Sequence, residues 1–73
     1  MRYYVEKSLY NSKHYQVWAN FDVGVFQTIR CKQGRKIKPN RDGIYSYQCT
    51  RLDVKIMRDN PVFKEVFNLK ELL

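Results

Sequence analysis

The stretch Thr50-Arg51-Leu52-Asp53-Val54-Lys55-Ile56-Met57-Arg58-Asp59-Asn60-Pro61 decides how this chain folds, because two kinds of element compete for it. Leu52, Val54 and Ile56 alternate with polar residues and two of the three are β-branched, the pattern of a half-buried strand. Thr50 followed by Asp53 has the spacing of a helix cap. The β-branched alternation tips 52–58 towards a strand. Asn60 and Pro61 then predict the start of a helix. Asn caps, Pro suits the first helical position, and the residue before a proline is pushed out of the helical region. Val62, Val66, Leu69 and Leu73 share one face of that helix, with Phe63 and Phe67 on one flank and Leu72 on the other. So wide an apolar arc implies a helix laid deep on a curved sheet, or one whose edge also meets a second chain, as in a homodimer.

Upstream of this stretch the period is two. The odd positions from Tyr3 to Leu9 and again from Tyr15 to Val25 are mostly apolar, aromatic or β-branched, and Asn11-Ser12-Lys13 between them has turn composition. A three-residue loop at 11–13 pairs Leu9 with Tyr15, Val5 with Ala19 and Tyr3 with Phe21 on one face. On the other face it pairs Arg2 with Asp22 and Glu6 with Trp18. Register must keep like faces together, and a two-residue loop would mix them. Residues 15–31 are too long for one strand, so Asp22-Val23-Gly24 reads as a break and Val25–Lys32 as a third strand. A loop bounded by Gly34 and Gly43 follows, and then a fourth strand from Ile44 to about Arg51. The fold expected is α+β: an antiparallel meander sheet of four to five strands, curled in an SH3-like outline, with one C-terminal helix packed on it. The SH3-like outline is a likeness of shape that no motif supports.

The chain has 73 residues, which makes a single domain spanning 1–73. One core of this size supplies about 3–5 kcal/mol of net stability, which leaves little room for an elaborate buried active site. Hydrophobic residues make up 44% of the chain, enough to collapse and to exclude disorder by composition. No apolar run approaches the roughly 18 residues of a membrane span, and Glu6 falls where a signal peptide would carry its apolar core. A cytoplasmic protein with no membrane association is expected. Two cysteines are too few for a disulfide framework.

The charge is uneven. The net +7 divides into +1 over residues 1–26, +6 over 27–51 and zero over 52–73. The middle third holds Arg30, Lys32, Arg35, Lys36, Lys38, Arg41 and Arg51 against Asp42 alone. Clustered cations in a glycine-bounded loop attract a phosphate backbone or an acidic protein surface, though such loops also serve only to keep a hairpin tip soluble. The even face of the first hairpin carries Tyr4, Tyr10, His14 and Trp18. Beside a basic loop these could stack unpaired bases; alternatively, they are ordinary strand-forming aromatics. A hairpin centred on Asn40 sets Cys31 opposite Cys49, as two small core residues or a cross-strand pair. No cofactor and no metal site is expected, because only His14 could join the cysteines and no metal-ligand spacing exists. Catalysis has little support beyond a metal-independent ribonuclease using His14 as base. Two functions follow from the residues. The leading one is a non-enzymatic nucleic-acid or nucleoprotein binder. The alternative is a small phage-type inhibitor or adaptor that docks on an acidic host protein surface or nucleic-acid channel.

Overall fold

The computed structural model describes residues 1–7, 13–23 and 38–73. Strands β1 (Arg2–Lys7) and β2 (His14–Ala19) are followed by β3 (Tyr45–Thr50), helix α1 (Arg51–Asp59), the two-residue strand β4 (Lys64–Glu65) and a 3₁₀ turn over Leu69–Leu72. The strands lie in the order β3-β2-β1-β4. β2 is antiparallel to both β1 and β3, while β4 runs parallel to β1. The domain is therefore α+β, with one mixed sheet of four strands and one helix among the described residues. The antiparallel meander expected from the alternation is matched only in part: among the described residues β1, β2 and β3 pair antiparallel, but β4 joins β1 in parallel. β3 and β4 both run parallel to β1, so β3-α1-β4 is a crossover passing over β2 and β1, a split β-α-β unit, and a helix is the usual carrier of such a connection.

The competition over 50–61 is won by the helix. The Thr50 side chain accepts from the Asp53 N–H at 3.2 Å, and the Asp53 carboxylate accepts from the Thr50 N–H at 3.1 Å. This capping box satisfies two backbone donors at once. Downstream of it Asp53, Val54 and Met57 are buried while Leu52 is 66% exposed, a helical stripe and not the alternation of a strand. The fifth strand over 52–58 is thus replaced by α1.

The predicted helix from Asn60 onward is not formed; helical geometry there is confined to the 3₁₀ turn over Leu69–Leu72. Asn60 Oδ1 accepts from the Val62 N–H at 3.0 Å and the Asn60 carbonyl from the Phe63 N–H at 3.1 Å, which makes Asn60-Pro61 a turn. Asn before Pro is as good a turn starter as a helix cap, because its short side chain mimics a backbone turn. The chain then extends along β1: Lys64 N–H donates to the Met1 carbonyl at 2.7 Å and Val66 N–H to the Tyr3 carbonyl at 2.9 Å. A homodimer contact through a C-terminal helix loses its element with that helix.

The first hairpin keeps its expected faces in a different register. Tyr3 lies opposite Ala19, Val5 opposite Val17 and Glu6 opposite Gln16. The slip from the expected pairing is two residues, which preserves which side chains share a face. Arg2 consequently meets Asn20 and not Asp22, through Asn20 N–H to the Arg2 carbonyl at 3.2 Å and Arg2 N–H to Asn20 Oδ1 at 3.1 Å. β2 ends at Ala19, ahead of the expected break at 22–24, and Val23 N–H and the Asp22 carboxylate both bond the Tyr47 hydroxyl.

Each sheet face carries a core. On the odd face Tyr3, Val17, Ala19, Tyr47 and Cys49 pack with Val54 and Met57 of α1 and with Phe63, which stacks on Phe21 at 5.0 Å between ring centroids. On the even face the C-terminal residues Val66 and Leu72 join Ile44 over Tyr4 and Trp18. Where the third strand was expected, residues 25–32 lie outside the described residues. The turn before β3 spans Asn40–Gly43: Gly43 N–H donates to the Asn40 carbonyl, Asn40 Oδ1 accepts from the Asp42 and Ile44 N–H groups, and Gly43 takes φ +78°. The turn closes by Asn40 N–H donating to the Ile44 carbonyl, so it is not centred on Asn40. The pairing of Cys31 with Cys49 that such a centre implied loses that basis. Cys49 is buried in the core, and Cys31 lies outside the described residues.

Candidate nucleic-acid interface

Of the expected cationic residues, Lys38, Arg41 and Arg51 can be placed, and all three are exposed. Arg30, Lys32, Arg35 and Lys36 lie outside the described residues. Arg41 sits in the Asn40 turn at the start of β3, and Arg51 opens α1 at its end. A six-residue strand, roughly 20 Å long, separates the two. Among the described residues the basic positions therefore stand at both ends of one strand.

Helix α1 adds to it. Arg51, Lys55 and Arg58 stand at i, i+4 and i+7, which places them along one side of the helix. They line a cleft of about 720 Å³ together with Leu52, Val54 and Asp59 of α1 and Tyr15 of β2. Arg51 and Lys55 are exposed, and among the described residues neither forms an ion pair. Arg58 donates to both carboxylate oxygens of Glu65, at 2.8 and 3.1 Å, tying α1 to β4. That bond holds Arg58 still more firmly in its charged form. The buried Tyr3 lies within the influence of the same pair. Its pKa is pushed up to about 12, chiefly by burial and next by the Glu65 carboxylate, with Arg58 opposing.

Lys55, Arg58, Asp59 and Tyr15 were not singled out by the sequence. The signal existed: once Thr50 and Asp53 are taken as a cap, the spacing of 51, 55 and 58 follows. Reading 52–58 as a strand instead set Arg58 on the opposite side from Arg51 and Lys55.

Of the expected aromatic platform, Tyr4, His14 and Trp18 can be placed. Tyr4 and Trp18 face each other across β1 and β2, with ring centroids 5.6 Å apart and planes tilted by 34°. Both are half-buried, because Ile44, Val66 and Leu72 pack against them. Tyr10 lies outside the described residues. His14 stands at the far end of β2 opposite Thr50, and its buried Nδ1 has no hydrogen-bond partner among the described residues. Among the described residues, no group of three or more His, Cys, Asp and Glu side chains is gathered to hold a metal ion, and no helix is long and apolar enough to cross a membrane. Comparison with protein-family models, with curated proteins and with solved structures finds no match to this chain.

Proposed function

We propose that the protein is a small non-enzymatic module that binds nucleic acid, or a nucleoprotein, through its basic side. The observation that carries this reading is the separation of exposed cations along the fold. Lys38 and Arg41 lie at one end of β3, and the stripe of Arg51 and Lys55 at the other. Exposed cations at both ends of a strand roughly 20 Å long suit an extended polyanion better than a single small anion. The segment holding Arg30, Lys32, Arg35 and Lys36 feeds into the same turn in sequence. Anisotropy titration with labelled duplex DNA, single-stranded DNA and RNA at low salt tests it. Binding that weakens steeply as salt rises is expected; no binding to any of the three overturns it.

A second reading, a phage-type inhibitor or adaptor that docks on a host protein, is favoured by one observation. Phe67 is 96% exposed, with Leu73 at 72% and Val62 at 51% in the same terminal stretch. Aromatic anchors of this kind supply affinity in protein interfaces, with charge steering the approach. Recovery from nuclease-treated host lysate of a stoichiometric protein partner that Phe67→Ser no longer holds would replace the first reading with this one.

A further inference from the structure

We infer that the cleft between Tyr15 and α1 receives one unpaired nucleotide of a single-stranded nucleic acid. This rests on the nucleic-acid reading above and narrows it. A volume of about 720 Å³ is that of a site for one ligand unit, within the usual range of about 300–1,000 Å³. A duplex keeps its bases stacked inside and offers convex backbone, so it has nothing to insert there. An unpaired base does.

The lining matches the two halves of a nucleotide. Tyr15 and Leu52 give an aromatic and apolar wall for a base, and bases stack on such walls with little regard to sequence. The Glu65 carboxylate grips Arg58 at both oxygens, which fixes its guanidinium as a planar cation beside that wall. Bases also stack on guanidinium planes of this kind. Arg51 and Lys55, one helical turn apart and unpaired with any carboxylate among the described residues, are placed to share one phosphate. Asp59 offers an acceptor to a base amino group.

The test is an NMR and anisotropy titration of the full chain with a single-stranded RNA, the single-stranded DNA of the same sequence, the corresponding duplex, and polyglutamate. Tighter binding of the single strands than of the duplex is expected, with resonances of Tyr15, Arg51, Leu52 and Lys55 moving first. Lys55→Gln should flatten the slope of log affinity against log salt by about 0.7 for a single strand. Tyr15→Leu should weaken single-strand binding by about 5- to 150-fold, the worth of one stacked base. Where Tyr15→Leu does not fold, Leu52→Asp, at an exposed position in the cleft wall, serves in its place and should also weaken it. A preference for RNA or for DNA supports the assignment and identifies the sugar. If nucleic acid binds while the cleft resonances stay still, or the duplex binds as well as the single strands, the cleft assignment falls and the broader reading stands. If polyglutamate matches the single strands at equal salt, the site is one for acidic protein and the assignment falls. If no polynucleotide binds, both fall.

Discussion

Thr50 and Asn60 each stand ahead of an apolar run, and each turns a side-chain oxygen onto the backbone that follows it. At Thr50 the oxygen reaches the N–H three residues on, and Asp53 answers by accepting from Thr50. At Asn60 the oxygen reaches only the N–H two residues on, and Pro61 between them stiffens a turn. The first site opens a helix because Val54 and Met57 find a sheet face to bury against. The second opens an extended segment because Phe63 and Val66, three residues apart, enter different cores, one on each side of the sheet. A cap is thus a licence for a helix. What the following apolar residues meet determines whether one forms.

The contrast can be attacked first through burial. If 60–73 were a loose strap, Phe63→Ala would cost little. Phe63 is instead 5% exposed and stacked on Phe21, and its truncation is expected to cost about 3–5 kcal/mol, alongside about 2–5 for Met57→Ala. In a domain this small either change should leave much of the chain unfolded, which urea titration at neutral pH will show.

Next come the caps themselves. Thr50→Ala is expected to remove about 0.5–2 kcal/mol and to lower helical circular dichroism. Asn60→Ala should destabilise without lowering the helical signal. Equal loss of helicity in both variants would erase the distinction between the two sites.

The meeting point of the regions is Tyr3 with Arg58 of α1 and Glu65 of β4. The folded pKa of Tyr3, about 12, stands above its ordinary 10.0. The folded state therefore holds the phenolic proton more tightly, and the stability it contributes is complete below pH 10 and lost as pH rises from 10 towards 12. Stability curves of the wild type and Tyr3→Phe should converge over that window, the variant showing the shallower fall. Parallel curves would contradict the shift. The smallest effect belongs to the Arg58–Glu65 pair, whose side chains are 51% and 37% exposed. Glu65→Gln is expected to cost about 0.2–1 kcal/mol, and less at high salt.

Much of this was legible beforehand, unevenly. Alternation at Tyr3, Val5, Val17 and Ala19 revealed the buried face of the hairpin, because any slip by an even number of residues leaves faces intact; for the same reason it could not reveal the register. Over 52–58 the two periods overlap at Val54, and β-branched Val54 and Ile56 carry the bias of a strand. Only the reciprocal bond between Thr50 and Asp53 separates them. β4 was beyond reach: Lys64 and Glu65 are both exposed, and their place beside β1 depends on contacts remote in sequence. The basic side was partly legible. Charge counting found Arg51, while Lys55 and Arg58 become its neighbours only on a helix. The candidate cleft is thus a consequence of which cap opens the helix.

Backbone Cα chemical shifts from Thr50 to Leu73 test that consequence most directly. A helical run over 51–59, extended values at 64–66 and, beyond Pro61, helical values confined to the short 3₁₀ turn at 69–72 are predicted. Extended shifts over 52–58 followed by a helix from Pro61 would contradict the account, and would take the stripe of Arg51, Lys55 and Arg58 with it.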